Sequence, residues 1–334
     1  MSCKNGFLAA ALCWCAVPVT ALAADHESGL PLQIVADVPL PGDTSRFDYE
    51  SYDSTRQRLF IAHLGQSEVL AFDTRTRQVV GRVPGIGNVH GVLAVPELGR
   101  VYASATKSDE VVAIDAEHLT EVARMPGGTY PDGMAYAPGA KKLYVSDETG
   151  KTETVIDVRS NRRVATIPLG GEVGNTQYDP VSRHIFINVQ TRGQLIEIDP
   201  ATDQIIARHD LPGADGNHGL LIEPASHLAF VACEGNDKLL VFDLQARRVK
   251  QSFEIGHEPD VLDYDAQLGL LYVASESGTV SMFKLQAGRL EKIADGSLAP
   301  NAHVVAVDQD THLAYFPIKS LGGHPVLRIT QPAP

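Results

Sequence analysis

An aromatic residue recurs along the chain at a nearly constant interval, and this interval constrains the fold more than any other feature. Each of these residues stands in a short run of strand-forming residues. The seven positions are Phe60, Tyr102, Tyr144, Phe186, Phe230, Tyr272 and Tyr315. Successive positions are 42 to 44 residues apart. Units of this length must pack against one another, because one unit cannot bury a hydrophobic core by itself.

Every unit has the same internal order of strand and turn signals. The unit that begins at Arg58 reads RLFIAHLGQSEVLAFDTRTRQVVGRVPG, with three β-rich runs separated by polar turns. The units that begin at Lys142 and His227 repeat this order. Runs of β-branched and aromatic residues bounded by Gly, Asn, Asp and Pro predict strands, and no segment has sustained helical periodicity. Seven units of four short strands predict an all-β fold, a seven-bladed β-propeller.

The two ends of the chain are expected to complete one blade together. The last unit supplies an innermost strand at AHVVAV, a second strand at HLAYFPI and a third strand at PVLRI, where the chain stops. Leu30–Gly42 precedes the first complete unit and has the form of an outer strand. We therefore predict that this N-terminal strand completes the last blade and closes the ring. Residues 24–334 then form a single domain.

One unit resembles a known repeat. The stretch YVSDETG…TVIDVRSNRRVATIPLG, which begins at Tyr144, closely resembles the YVTN-type β-propeller repeat. LYVASESG, AFVACEGN and IFINVQT are weaker copies of its first part. The resemblance covers essentially the whole mature chain and implies the propeller fold. It implies no single function, because the family includes surface, periplasmic and electron-transfer-associated proteins as well as lactonase-like and lyase-like relatives.

The N-terminus has the features of a secretory signal peptide. Lys4 is followed by an apolar stretch and then by Ala21, Leu22 and Ala23, a small-x-small cleavage signal. We predict that residues 1–23 are removed on export and that the mature protein is periplasmic. No later segment is long and apolar enough to span a bilayer, so we expect no membrane insertion. Cys233 is then the single remaining cysteine, and we expect it to be a buried strand residue.

The charge balance of the chain is acidic. Its 41 Asp and Glu side chains outnumber 28 Lys and Arg side chains, which gives a formal net charge of −13. A surface that binds nucleic acid or anionic lipid needs clustered Lys and Arg, and the sequence has no such cluster. We therefore expect neither of these as a partner, and we expect a monomer.

One polar residue from each unit stands at the start of the innermost strand. When the units are aligned, these positions are 42 or 43 residues apart. They are Asp48, His90, Asp132, Asn175, His218, Asp260 and His303. Innermost strands line the central channel of a propeller, so we predict that the seven side chains form a ring at one mouth of the channel. Each of them is able to coordinate a metal, bond to a polar ligand or transfer a proton.

The histidines of this ring indicate a metal site. We predict His90, His218 and His303 as metal ligands. Imidazole with carboxylate favours a divalent transition metal, Zn or Cu, over Ca. The predicted ligand-binding residues around them are Asp48, Asp132, Asn175, Asp260 and Glu148. The alternative is that these polar side chains only line a water-filled channel, an interpretation that Asp132 and Asp260 fit well.

A second set of positions follows the next strand of each unit and should stand slightly farther out at the same mouth. The set is Leu64, Thr106, Glu148, Gln190, Glu234, Glu276 and Lys319. Glu234 and Glu276 are the candidate catalytic residues, as general bases. The alternative is that the whole set consists of solvated turn residues.

Three functions are compatible with these residues. The first is an exported propeller that binds a metal ion or a small polar ligand at the His/Asp ring. The second is a metal-assisted hydrolase or lyase at the same site, of the lactonase-like kind that the resemblance implies. The third is a scaffold that contacts another exported protein through its rim or faces. The ring serves the first two functions and is incidental to the third.

Overall fold

Seven four-stranded antiparallel sheets are arranged in a ring, which confirms the predicted all-β, seven-bladed propeller. The computed structural model describes residues 29–334. The predicted signal peptide, residues 1–23, lies outside the described residues. The innermost strands of successive blades contact one another, and the innermost strand of the last blade contacts that of the first.

Blades 1 to 6 follow one another along the chain, and each runs from its innermost to its outermost strand. Blade 1 consists of β2 (Glu50–Asp53), β3 (Arg58–His63), β4 (Glu68–Asp73) and β5 (Gln78–Pro84). Blade 2 consists of β6 (Val89–Val95), β7 (Arg100–Ala105), β8 (Glu110–Asp115) and β9 (Glu121–Pro126). Blade 3 consists of β10 (Pro131–Ala137), β11 (Lys142–Asp147), β12 (Thr152–Asp157) and β13 (Arg162–Pro168).

The next three blades have the same order. Blade 4 consists of β14 (Val173–Asp179), β15 (His184–Val189), β16 (Gln194–Asp199) and β17 (Gln204–Asp210). Blade 5 consists of β18 (Asn217–Glu223), β19 (Leu228–Cys233), β20 (Lys238–Asp243) and β21 (Arg248–Glu254). Blade 6 consists of β22 (Pro259–Asp265), β23 (Leu270–Ser275), β24 (Thr279–Gln286) and β25 (Arg289–Ser297).

Blade 7 is built from both ends of the described chain, as predicted. Its three inner strands are β26 (Ala306–Asp308), β27 (Leu313–Leu321) and β28 (His324–Pro332), and its outermost strand is β1 (Leu32–Pro39). β1 pairs antiparallel with β28, from Leu32 opposite Pro332 to Pro39 opposite Val326. The innermost strand is shorter than the predicted AHVVAV, because pairing with β27 begins only at Ala306.

Arg328 holds the closing strand in place. Its Nε and Nη2 donate to the two carboxylate oxygens of Asp37, both at 2.8 Å. Its Nη1 donates to the Leu298 carbonyl oxygen, also at 2.8 Å. This fork therefore links β1, β28 and the end of blade 6.

The middle strands of the blades are continuous apolar runs because neighbouring blades cover both of their faces. All six residues of β19 are buried, including Cys233, where burial raises the pKa of the thiol to about 12. The outermost strand β17 instead alternates between exposed and less exposed residues. Within residues 29–334 the buried hydrophobic side chains form seven clusters, one between each pair of neighbouring blades. The seven periodic aromatic residues are all buried.

Helical structure in the described part of the chain is limited to three single 3₁₀ turns. They are Leu64–Gln66, Pro96–Leu98 and Thr106–Ser108. None of the helices between residues 29 and 334 has the length and apolar character needed to cross a membrane.

Candidate functional site at the channel mouth

The ring residues lie where the innermost strand of the blade is interrupted. In blade 5, Asn217 pairs with Cys233 and Leu220 with Val231, so the register shifts across His218. The same shift occurs at His90, Asp132, Asn175 and Asp260. Asp48 and His303 stand before the first residues of β2 and β26. A bulge changes the direction of the side chain it carries, and here it turns the polar group into the channel.

Glycines beside the ring residues let neighbouring blades approach closely at this mouth. A Cβ atom at Gly91 would lie 2.0 Å from the backbone oxygen of Asp132 in the next blade. A Cβ atom at Gly219 would lie 2.2 Å from the backbone oxygen of Asp260. Any side chain at these positions would push two blades apart, so the glycines bring ring residues of different blades within reach of one another.

The ring residues face a cavity of about 430 Å³ at the channel mouth. Eight of the ten predicted site residues line it: Asp48, His90, Asp132, Glu148, His218, Glu234, Asp260 and Glu276. The other two are buried beside lining residues, Asn175 against Tyr49 and His303 against Asp260. The structure therefore brings all ten residues together at one mouth.

Carboxylates dominate the cavity. Six of its lining residues are Asp or Glu, and Arg46 is the only Lys or Arg that lines it among the described residues. Burial raises the pKa of Asp132 and of Asp260 well above the ordinary value, and the nearby charge of Asp48 adds to this effect. Burial also raises the pKa of Glu234. Protonation reduces the repulsion between these neighbouring carboxylates. A bound cation would be favourable here, because it would reduce the same repulsion.

Tyr49 crosses the channel from blade 1 to the opposite blades. Its hydroxyl donates to Asn175 Oδ1 at 2.7 Å and lies 3.1 Å from His218 Nε2. It lines both the mouth cavity and a deeper channel cavity of about 360 Å³, so it separates the two. Burial and the negative charges of Asp132 and Asp260 raise the pKa of Tyr49 well above 10, so the hydroxyl keeps its proton.

The hydrogen bonds around His218 place acceptors at both of its ring nitrogens. The Gln190 amide nitrogen donates to Glu148 Oε1 at 3.0 Å, which leaves the amide oxygen facing His218 Nδ1 at 3.3 Å. The single hydroxyl proton of Tyr49 goes to Asn175, so the Tyr49 oxygen accepts from Nε2. An imidazole that donates from both nitrogens is positively charged.

Neighbouring carboxylates favour this protonated form of His218. Its Nε2 lies 3.8 Å from Asp132 Oδ2 and 3.9 Å from Asp260 Oδ1. Burial alone would lower the pKa of His218, but the negative charges of Glu234 and Asp132 outweigh burial and raise the pKa above 6.5. A metal ion bound at Nε2 would therefore replace a proton.

His90 has partners at both of its ring nitrogens. Nδ1 lies 2.9 Å from the Asn88 carbonyl oxygen and 2.9 Å from Thr106 Oγ1. Nε2 lies 3.0 Å from the Tyr130 hydroxyl and 4.0 Å from Asp48 Oδ2. A metal ion could reach His90 only by replacing one of these hydrogen bonds.

Arg46 lies among carboxylates from two blades. Its Nη1 pairs with Glu276 Oε1, its Nε lies 3.6 Å from Asp48 Oδ2 and its Nη2 lies 3.7 Å from Asp260 Oδ2. His303 Nε2 points at the same group, 3.7 Å from Glu276 Oε1 and 3.9 Å from Asp260 Oδ2. Burial and the positive charge of Arg46 lower the pKa of His303, which favours the neutral imidazole.

Within residues 29–334, two groups of donor atoms are close enough together to hold a metal ion. In each group, one donor atom from each residue lies within 4.8 Å of the others. The first group is Asp48, Asp260 and His303, and the second group is His218, Glu234 and Asp260. An ion in the first group would have to displace the Arg46 guanidinium. The three predicted metal histidines do not converge on one ion: His218 belongs to the second group, His303 to the first and His90 to neither.

Arg46, Tyr49 and Tyr130 line the cavity but are absent from the predicted site. The alignment of the units contains a signal for two of them, because Arg46 and Tyr130 both stand two positions before a ring residue. Tyr49 stands one position after a ring residue, where His90, Asp132 and His218 are each followed by glycine. A bulky side chain at a position that is glycine in three of the other six units would have indicated entry into the channel.

The chain is similar in fold to several solved structures. A chain of the hydrazine synthase of Kuenenia stuttgartiensis is 16% identical with a TM-score of 0.73, and the match covers 88% of this chain and 97% of that chain. U3-55K is 11% identical with a TM-score of 0.74, covering 89% of this chain and 98% of that chain. The WD40 repeats of RRP9 are 12% identical with a TM-score of 0.75, covering 90% of this chain and 100% of that chain.

Comparison of the sequence with known families and proteins adds no closer relationship. No family model matches the chain, and no curated protein matches it. Identities of 11 to 16% to the solved structures show the fold alone. By fold, the chain is a seven-bladed β-propeller.

Proposed function

We propose that this protein binds one divalent transition-metal ion at the channel mouth and, through that ion, a small polar ligand in the cavity. The metal ligands are His218, Glu234 and Asp260. The proposal depends on one observation, that donor atoms of these three residues lie within 4.8 Å of one another at the wall of a cavity of about 430 Å³. Among these three ligands, Asp260 is the one that forms an ion pair with Arg46.

The residues around the site fit a cation. Asp48 Oδ2 and Asp132 Oδ1 are buried and have no hydrogen-bond partner among the described residues. A buried polar atom without a partner costs about 1–3 kcal/mol, which a nearby cation would partly offset. One imidazole and two carboxylates with an open side resemble the three-ligand arrangement of zinc sites that bind a further molecule. The donors favour Zn or Cu over Ca, which takes six to eight oxygen ligands.

A metal-assisted hydrolase or lyase is a second candidate, and Asp132 is the residue that favours it. Its Oδ2 lies 3.8 Å from His218 Nε2, and its Oδ1 is buried without a hydrogen-bond partner in the part of the chain that the structure describes. A carboxyl group with a raised pKa beside a metal ion suits a general base. Glu234 and Glu276, the candidate bases from the sequence, are both engaged, Glu234 as a proposed metal ligand and Glu276 with Arg46.

Asp132→Asn separates this candidate from simple binding. If Asp132 is the base, we expect turnover of a lactone substrate to fall by about 100-fold or more, because general-base catalysis contributes on that scale. The variant should still bind one metal ion, since Asp132 is not a ligand in the proposed site. Hydrolysis assays and metal analysis on the same sample provide both measurements. Unchanged turnover in Asp132→Asn would exclude this role.

We further propose that the protein is a YVTN-type propeller, exported to the periplasm as a monomer with a single domain over residues 24–334. YVSDETG, its weaker copies and the seven-bladed fold support the family. The sequence of residues 1–23 supports export.

Titration of the metal-free protein with Zn²⁺ at several pH values tests the metal site. We expect one equivalent to bind, with an affinity that increases with pH. The pKa values of His218, Asp260 and Glu234 are raised above 6.5, 3.8 and 4.5, so protons compete with the metal. Below the pKa of His218, each proton that the metal displaces should lower the Zn²⁺ affinity about tenfold for every unit by which the pH falls.

The melting temperature provides a second measurement. Groups with raised pKa values stabilise the metal-free fold at low pH, and this contribution is lost as the pH rises through those values. The gain in Tm on adding Zn²⁺ should therefore be larger at about pH 8 than at about pH 6. The metal site would be refuted if Zn²⁺, Cu²⁺ and Mn²⁺ neither bound nor raised the Tm at any pH.

A further inference from the structure

The guanidinium of Arg46 stands where a second cation would bind. Each of its three nitrogens faces a different carboxylate, with Nη1 on Glu276, Nε 3.6 Å from Asp48 and Nη2 3.7 Å from Asp260. Only the contact with Glu276 is a hydrogen bond. The other two separations exceed hydrogen-bond length, so Arg46 neutralises charge there without bonding to the oxygens.

The atoms that Arg46 leaves without bonds are metal-ligating atoms. Asp48 Oδ2 and His303 Nε2 are buried, each in a residue that is 1% exposed, and neither has a hydrogen-bond partner among residues 29–334. His303 Nδ1 lies 3.0 Å from the Asn301 carbonyl oxygen, which holds the ring with Nε2 towards the carboxylates. An imidazole held in this way by a backbone carbonyl is the arrangement found in metal-bound histidines.

Asp260 connects this position to the site proposed above. Its Oδ1 lies 3.9 Å from His218 Nε2, and its Oδ2 lies 3.9 Å from His303 Nε2. One carboxylate therefore offers a different oxygen to each of the two donor groups. Paired metal sites place two ions close together, and a shared carboxylate is suited to lie between them.

We propose that Asp48, Asp260 and His303 form a second metal position that Arg46 keeps closed, so that the mouth holds one ion rather than two. The count of one ion in the unchanged protein rests on the proposed function. The existence of the second position does not depend on it. Arg46 is thus the residue that determines metal stoichiometry. Its side chain is partly exposed, so removing it does not open a hole in the hydrophobic core.

Metal stoichiometry in Arg46→Ala tests this inference. Metal-free proteins are titrated with Zn²⁺ and with Co²⁺, and bound metal is also measured after gel filtration. We expect one equivalent in the unchanged protein and two in Arg46→Ala. The double variant Arg46→Ala/His303→Ala should return to one equivalent, because it lacks the single nitrogen ligand of the second position.

Arg82→Ala is the matched control. Arg82 also forms an ion pair with a buried glutamate, through Nε and Nη2 to Glu68 at 2.8 and 2.7 Å, but neither residue lines the mouth cavity. Arg82→Ala should bind one equivalent of metal, as the unchanged protein does. If Arg46→Ala fails to fold, as judged by circular dichroism and melting, Arg46→Gln replaces it, since Gln removes the charge and keeps most of the side chain.

The outcomes separate the two proposals. One equivalent in Arg46→Ala, or two in the unchanged protein, would overturn the inference and leave the first site standing. No metal in the unchanged protein but one equivalent in Arg46→Ala, lost again with His303→Ala, would support the second position and refute the first. No metal in any of the proteins would refute both.

Discussion

His218→Ala is expected to weaken Zn²⁺ binding by at least about 100-fold while the propeller stays folded. His218 supplies the only nitrogen ligand of the proposed site, beside Glu234 and Asp260. Loss of outer partners that merely orient a ligand already weakens metal binding about 10- to 100-fold, and loss of a ligand should exceed this. The two remaining carboxyl groups have raised pKa values, so protons compete with the metal for their oxygens. Calorimetric titration measures the affinity, and circular dichroism reports the fold.

His90→Ala is the matched control for this variant. His90 occupies the equivalent bulge in blade 2, and its Nε2 contacts the Tyr130 hydroxyl as His218 Nε2 contacts the Tyr49 hydroxyl. His90 belongs to neither group of donor atoms. The Zn²⁺ affinity of His90→Ala should therefore stay within about threefold of that of the unchanged protein. Equal losses in both variants would mean that the ring acts as a whole. An unchanged affinity in His218→Ala would remove His218 from the metal site.

The fold could be predicted from the sequence because every blade repeats the same local signals. Phe60 and Tyr102 occupy equivalent places in β3 and β7, and both are buried between blades. The periodicity identifies the strands, their order and the missing outer strand that β1 supplies. It does not predict where pairing stops, so β26 begins four residues later than expected. The chain before β26 belongs to the mouth rather than to the sheet.

Ten residues of the site could be predicted as well, but the division of the metal-ligating residues into two groups could not, and Arg46, Tyr49 and Tyr130 were missed. Alignment shows that His218 and His303 are equivalent, yet Arg46 makes their surroundings different. Arg46 is the only Lys or Arg at its position in the alignment. The repeat therefore places it near the mouth but does not predict its contacts with carboxylates. Tyr49 reaches partners 126 and 169 residues away across the channel. Periodicity relates equivalent positions and contains no information on contacts between opposite blades.

The carboxylates of the mouth differ from the aspartates at the far ends of the innermost strands β14 and β22. Asp179, at the other end of β14, accepts bonds from the backbone N–H groups of Val181 and Ser182. Asp265 accepts one from Leu268 at the end of β22. By contrast, Asp132 Oδ1 is buried without a partner among the described residues. Buried charge without such bonds lowers stability, and a site that keeps it is suited to a ligand that supplies the missing contact.

A chain that begins at Gly42, and so lacks β1, is expected to melt more than about 10 °C below the full protein. Val35 and Val38 pack with Leu40, Leu327 and Ile329 in the cluster between blades 7 and 1. The truncation removes Leu40, which is buried, together with Val35 and Val38, which are half-buried. Full burial of one such side chain contributes about 1.5–3 kcal/mol. Total stability is only about 5–15 kcal/mol, so the loss affects the whole ring. Thermal melting measures the effect.

Adding the missing strand back as a peptide distinguishes strand closure from general damage. A peptide of residues 29–42 should restore much of the lost Tm, because it can pair with β28 in the same register. The same peptide with Asp37→Lys should fail, since it places a lysine against Arg328 in place of the carboxylate that accepts two hydrogen bonds at 2.8 Å. Without a strand on β28, its open edge should also pair with other chains, which size-exclusion chromatography would detect. A truncated chain that melts with the full protein and remains monomeric would show that three strands of blade 7 are enough to close the ring.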